Sequence, residues 1–161
     1  MSTSLRFFVV GAAILCLTAL PARADSHPDF KGLWKLNTEK SDFGSEPALK
    51  SLTVRIEKCD TVLKYAVTGV DPGGNPFEES VDVPIDGAAH DVSDGRGQVV
   101  LKWDGSAIVS ENKAEDGSFM QDSKTTLSED HKTLTRVVDT KSPNGNGHRT
   151  EIYDRQSEAI R

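Results

Sequence analysis

The chain is short and acidic, and these bulk properties already exclude some functions. It has 161 residues and a formal net charge of −6, and 6% of its residues are aromatic. This length suits one domain with an ordinary hydrophobic core. An acidic surface repels phosphate backbones, and the sequence has no basic stripe with interleaved aromatic residues, so nucleic acid is not an expected partner.

The first 24 residues have the pattern of a secretory signal peptide. A basic residue precedes the apolar run 7–20, and Ala22-Arg23-Ala24 is a small-residue cleavage site. The run is too short to cross a bilayer comfortably as a mature helix. We therefore expect cleavage after Ala24, which leaves residues 25–161 as a single exported domain. It would be periplasmic or extracellular, with no stable membrane anchor after cleavage.

Cleavage removes one of the two cysteines and leaves only Cys59. An exported chain with a single thiol forms no internal disulfide. Cys59 is interpreted as a small buried hydrophobic residue, with an intermolecular bridge as the alternative.

Hydrophobic and polar residues alternate through most of the mature chain. Gly, Asp, Asn and Pro interrupt the alternation about every eight to twelve residues, which is typical of an all-β fold. Asp104-Gly105 and Asp116-Gly117 are hairpin signals. The predicted strands, in chain order, are residues 32–37, 51–58, 62–68, 77–83, 89–93, 98–103, 106–113, 118–128, 133–140 and 149–154.

About ten strands joined by short turns predict an up-and-down antiparallel β-barrel, in which sequence neighbours pair and closure removes exposed edges. A two-sheet β-sandwich is the alternative. Residues 38–50 form the longest early connection and are expected to make one helical turn or an irregular lid. Residues 142–147, rich in Gly and Asn, are expected to be a flexible turn.

Two segments resemble those of a known superfamily. Residues 30–36 carry the pattern F-x-G-x-W and, with Ser-Asp-Phe at 41–43, resemble the start of fatty-acid-binding proteins. The G-x-W core is shared with lipocalins, and residues 151–155 resemble the last strand of the same superfamily. The chain is thus similar to lipocalin-like and fatty-acid-binding-protein-like (calycin) β-barrels of the small exported bacterial type. This resemblance implies a lumen that holds a small molecule.

The chain also departs from that family. Fatty-acid-binding proteins place two helices between the first two strands, and residues 38–50 are too few for them. The family binds the fatty carboxylate with an R-x-Y pair on the last strand, whereas here Glu151 lies two residues before Tyr153. A carboxylate at this position would repel an anionic head group, so we expect a neutral or weakly polar ligand.

Trp34 is expected to close one end of the barrel, either as the floor of a cavity or as ordinary core packing. Gly32 lets the strand pass close to another backbone. An arginine is expected to stack on the indole ring, and the possible partners are Arg136, Arg149 and Arg155.

The strand at 118–128 has a mixed face on which Phe119, Gln121 and Thr125 alternate with polar residues. Such a face suits either a partly polar lumen or a solvated sheet edge. The predicted ligand-binding residues are Trp34, Tyr65, Phe119, Gln121, Thr125, Arg136 and Tyr153.

The sequence carries no nucleophile, nucleotide or metalloprotease motif, and its four histidines are scattered. We therefore expect no catalysis, no metal site and no cofactor. The predicted function is binding of a small apolar or amphipathic ligand by an exported lipocalin-like protein. The alternative is a periplasmic inhibitor or protein-interaction module that uses the barrel as a scaffold. A roomy lumen would favour the first function, and an exposed N-terminal segment would favour inhibition.

Overall fold

The structure is a computed structural model that describes residues 27–92 and 97–157. The predicted signal peptide and its cleavage site lie outside these residues, so the domain boundary stays a prediction. The described residues form ten β-strands and no α-helix. None of them therefore belongs to an apolar helix of membrane-spanning length.

Every predicted strand is present, with ends shifted by a few residues. The largest shift is at the last hairpin, where strands replace most of the predicted flexible turn, and Ser142 Oγ donates a hydrogen bond to the Gly145 carbonyl at 3.0 Å. The strands are β1 (Gly32–Leu36), β2 (Ser51–Cys59), β3 (Val62–Val70), β4 (Pro76–Pro84), β5 (Ala89–Asp91), β6 (Gly97–Asp104), β7 (Ala107–Ala114), β8 (Met120–Leu127), β9 (Thr133–Ser142) and β10 (Gly145–Gln156).

All ten strands belong to one antiparallel sheet with the order β4-β3-β2-β1-β10-β9-β8-β7-β6-β5. Pairing of β1 with β10, in a register that sets Leu36 opposite Tyr153, rolls this meander into a barrel. The predicted up-and-down barrel is confirmed. The sandwich alternative is wrong, because the hydrogen-bonded ladder runs through one continuous sheet.

The barrel is nearly rather than fully closed, which corrects the expectation that closure would remove every edge. β4 and β5 lie at the two ends of the sheet order and do not pair with each other. β5 has only three residues, and Pro84 at the end of β4 has no N–H to donate. Exposed Glu78 and Asp82 accompany the open edge of β4, as charged side chains often do on natural sheet edges. We call this opening the lateral gap.

One end of the barrel is closed by the segment that precedes β1. Phe30 and Trp34 are both 0% exposed. The ring of Phe30 lies 5.8 Å from that of Trp103, and His27 stacks on the same indole at 4.0 Å. Trp103 Nε1 donates to the Asp60 carbonyl at 3.0 Å, which ties the β2–β3 turn to this end.

Gly32 leaves space for the side chain of Arg155. The expectation that it lets another backbone approach is therefore wrong. The φ of Gly32 is +135°, and a Cβ there would lie 2.6 Å from Arg155 Nη1. Arg155 is the arginine that stacks on Trp34, with Cζ 4.2 Å from the ring centroid. It also donates to the carbonyls of Lys31 and His131 at 2.7 and 2.6 Å.

The segment 37–50, which we call the mouth loop, folds back along β10. Asp42 and Thr150 exchange two backbone hydrogen bonds of 2.8 and 2.7 Å. The hydroxyl of Ser41 accepts a hydrogen bond from the Ile152 amide at 2.9 Å. The mouth loop therefore extends the barrel wall beyond the end of β1, and it contains no helix.

Candidate functional site

A cavity of about 820 Å³ fills the barrel. The mixed face of β8 borders this lumen, so the alternative of a solvated edge is wrong. All seven residues predicted to bind a ligand line the same cavity, although their role in binding stays a prediction; they are Trp34, Tyr65, Phe119, Gln121, Thr125, Arg136 and Tyr153.

The floor of the lumen is apolar. It is formed at the closed end by buried residues from five parts of the chain, namely Phe30, Trp34, Ile56, Leu101 and Leu134. Such a surface gains free energy when it covers hydrocarbon, at about 25 cal/mol per Å² of apolar area removed from water. The floor is thus suited to the apolar part of a ligand.

Above the floor lies a buried carboxylate with three hydrogen-bond donors. Glu151 is 3% exposed. It accepts hydrogen bonds from Arg136 Nη1 at 3.1 Å, Arg149 Nε at 2.8 Å and the Tyr153 hydroxyl at 2.8 Å. Arg136 and Glu151 are directly opposite each other on β9 and β10, which explains why their side chains meet inside the barrel.

The mouth loop supplies a second carboxylate to this group. Glu46 Oε2 lies 2.6 Å from Arg149 Nη1, and the Glu46 side chain passes over Gly147, where a Cβ would collide with it. Glu46, Arg136, Arg149 and Glu151 together form what we call the lumen ion cluster. Two guanidinium groups and two carboxylates make it neutral when all four are ionised.

The protonation states follow from these contacts. Burial alone would raise the pKa of Glu151, but Arg136, Arg149 and the Tyr153 hydroxyl outweigh burial and lower it below its ordinary value. Burial and the adjacent Glu151 raise the pKa of Tyr153. At neutral pH, Glu151 is therefore a carboxylate and Tyr153 a neutral hydrogen-bond donor.

Several hydrogen-bonding groups remain open to the lumen. Within the described residues, the hydroxyls of Tyr65 and Thr125 have no hydrogen-bond partner, and Arg136 uses only its Nη1 nitrogen. In residues 27–92 and 97–157, every fully buried side-chain nitrogen or oxygen has a hydrogen-bond partner. The open groups of Tyr65, Thr125 and Arg136 are therefore not fully buried, and all three residues line the cavity. Burial raises the pKa of Tyr65, which keeps its hydroxyl neutral.

The lining of the cavity extends from the mouth to the lateral gap. At the mouth it is bordered by Leu49 of the mouth loop and by Phe119, a large hydrophobic side chain that is 38% exposed. Ser80 and Asp82 of β4 and Asp91 of β5 line the same cavity across the lateral gap.

Sequence reasoning identified the lining but not the ion cluster. Glu151 was expected to repel an anionic head group, but the two arginines that bind it were not foreseen. Arg149 was considered only as a partner of Trp34. The period-two spacing of Arg149, Glu151 and Tyr153 could have placed them on one face of the last strand. Glu46 gave no such signal, since it lies 103 residues from its partner Arg149.

The histidines of the described ranges do not assemble a metal site. His90 and His148 each contact one exposed carboxylate, Asp86 at 2.9 Å and Asp139 at 2.7 Å. In residues 27–92 and 97–157, no three His, Cys, Asp or Glu side chains are grouped closely enough to hold a metal ion.

The barrel is similar to solved structures of distant sequence. Secretory abundant heat soluble protein 4 from Ramazzottius varieornatus matches with a TM-score of 0.56 and 12% identity, over 80% of this chain and 95% of that one. Zebrafish ileal bile acid-binding protein, in complex with cholic acid, matches with a TM-score of 0.50 and 12% identity, over 79% of this chain and 98% of that one.

No protein-family model matches the sequence, and no curated protein sequence matches it significantly. At 12% identity, the structural likeness establishes the fold alone. The chain has the fold of the calycin β-barrels.

Proposed function

We propose that this protein is exported and binds a small apolar or amphipathic molecule inside the barrel. The observation that carries the proposal is the cavity of about 820 Å³, which has an apolar floor and hydrogen-bonding groups above it. Pockets of this size and mixed lining are typical of small-molecule sites. The complex of the zebrafish protein with cholic acid gives further support, since that barrel of the same fold holds an amphipathic ligand.

Ligand binding is favoured over the inhibitor or interaction module. Inhibition through an exposed N-terminal segment would require that segment to be free. From His27 onward it packs against the closed end, where Phe30 is fully buried. The lumen, by contrast, is roomy and open at the mouth.

Binding can be tested with a thermal-shift screen of apolar and amphipathic molecules, followed by calorimetry. A ligand present at a hundredfold excess over its Kd should stabilise the protein by about 2.7 kcal/mol. Thr125→Trp, which fills the lumen, should abolish this protection. Lys124→Trp places the same bulk on the exposed outer face of β8 and should retain it. Gln121→Trp, nearer the mouth, replaces Thr125→Trp if that variant does not fold.

Equal protection of the Thr125 and Lys124 variants would place the ligand outside the lumen. Absence of protection by any small molecule would favour the interaction module instead.

Export rests on the sequence of the first 24 residues and needs its own test. The protein recovered from the periplasm or culture medium should begin at Asp25 when its N-terminus is sequenced. An intact chain that starts at Met1 in the membrane fraction would contradict export with cleavage.

A further inference from the structure

The lumen ion cluster bears on which amphipathic molecules the barrel accepts. We propose that Glu151 is an internal counter-anion that satisfies Arg136 and Arg149, so that the lumen selects uncharged amphiphiles with a hydrogen-bonding head group over carboxylates. This inference rests on the proposed function and names the ligand class for the same cavity. Glu151 is here a specificity-determining residue that acts mainly through the two arginines.

The first support is the pairing of the arginines. Glu151 binds Arg136 through one carboxylate oxygen and Arg149 through the other, at 3.1 and 2.8 Å. Arg149 is also held by Glu46 at 2.6 Å, so it lies between two carboxylates. The positive charge that an anionic ligand would need is therefore already neutralised from within the chain.

The second support is the burial of Glu151. Its side chain is 4% exposed, so it cannot exchange its arginine partners for water without a large rearrangement. A ligand carboxylate beside it would bring two like charges together at low local dielectric, where their repulsion is strong. Glu79, an exposed residue of β4, also lines the lumen and adds negative charge.

The third support is the set of groups that remain for a ligand. Among the described residues, the lumen offers the unused nitrogens of Arg136 and the free hydroxyls of Tyr65 and Thr125. These groups can donate to a neutral acceptor such as an ester, amide, ether or hydroxyl oxygen without displacing Glu151. The apolar floor below them receives the hydrocarbon part of the same molecule.

The test uses three ligands with the same hydrocarbon chain, each below its micelle concentration: monododecanoyl glycerol, dodecanoate and dodecyltrimethylammonium. Calorimetry on the processed wild-type chain should give an affinity for the glycerol ester about tenfold or more above that for dodecanoate. Glu151→Gln should raise the affinity for dodecanoate about tenfold or more, since it removes the carboxylate that pairs with Arg136 and leaves Arg149 paired with Glu46 alone. The affinity for the glycerol ester should change by less than about threefold.

Glu79→Gln is the matched control, because it removes the same charge from the lumen wall and releases neither arginine. It should leave the preference for the ester in place. If it raised dodecanoate binding as much as Glu151→Gln does, general repulsion rather than arginine release would be the cause, and the inference would be overturned. Glu46→Gln releases Arg149 from one side only, and should raise dodecanoate affinity several-fold even if Glu151→Gln does not fold.

The outcomes separate this inference from the proposed function. Equal wild-type affinity for the ester and dodecanoate, or a preference for the quaternary ammonium ligand, would overturn the inference and leave ligand binding intact. Lack of binding of all three would contradict the proposed function and the inference together.

Discussion

Trp34 combines three stabilising interactions in one buried side chain. Its indole is fully buried, its Nε1 donates to the Phe30 carbonyl at 2.9 Å, and Arg155 covers its face. The hydrogen bond satisfies the only polar atom of the indole ring, so the ring is buried without leaving an unpaired donor. Trp34 is therefore both the floor of the cavity and part of the core, and the two interpretations of the sequence hold together.

Truncation of this ring should be costly. Trp34→Ala should lower the free energy of unfolding by about 3–5 kcal/mol, because it leaves a large cavity at the closed end. Phe119→Ala removes an aromatic ring that is 38% exposed at the mouth, and should cost less than about 1.5 kcal/mol. Urea denaturation of both variants measures the difference. Similar costs for the two substitutions would contradict the assignment of Trp34 to the core.

Cys59 is a buried thiol with little reactivity. It is 9% exposed, and burial, followed by the nearby charges of Asp29 and Asp60, raises its pKa to about 12. Only the thiolate reacts, and burial also restricts access to the sulfur, so at pH 8 the folded protein should react with a disulfide reagent at least about tenfold more slowly than the unfolded chain. The measurement uses the processed chain, whose only thiol is Cys59, with and without guanidinium chloride. Comparable rates would show that the thiol is accessible to solvent and would favour the alternative that Cys59 forms an intermolecular disulfide.

The mouth loop shows how a short connection is held in place without helices. It pairs with β10 through Asp42 and reaches the lumen through Glu46. Two glycines make this path possible: Gly44 adopts a left-handed conformation beneath the His148 carbonyl, and Gly147 leaves space for the Glu46 side chain. The path of the mouth loop thus depends on two glycines, whose missing Cβ atoms leave space for the His148 carbonyl and the Glu46 side chain.

Gly44→Ala should therefore destabilise the protein more than an equivalent change in a free turn. Gly44 has φ +58° and a backbone oxygen where a Cβ would be, whereas Gly105 has φ +60° and nothing within 4 Å. Gly105→Ala should cost about 1 kcal/mol for the left-handed backbone alone. Gly44→Ala should cost about 1–2 kcal/mol more, since the mouth loop must move away from β10. Equal costs in denaturant titrations would mean that the loop is not held against β10.

For the molecule as a whole, the alternation and turn signals were sufficient to predict the meander. Ser51, Val62 and Thr133 begin β2, β3 and β9 as predicted, because each follows a turn and opens a period-two pattern. The lateral gap was not predicted, although Pro84, flanked by Asp82 and Asp86, is typical of an edge strand. The lumen ion cluster was missed because Glu46 approaches Arg149 only once the barrel has formed and the mouth loop has folded back along β10. Neither event leaves a pattern in the local sequence.

The lateral gap should appear in hydrogen exchange as a gradient around the sheet. β10 pairs with β9 on one side and with β1 on the other, whereas β4 and β5 each pair on one side only. Amides in the β1–β10–β9 region should therefore exchange only through near-global unfolding, and those of β5 through local opening that costs at least about 2 kcal/mol less. β4 supplies an internal control, because its amides that bond to β3 should be protected and the alternate ones that face the gap should not. Amides of β5 that exchange as slowly as those of β9 would mean that the sheet closes in solution.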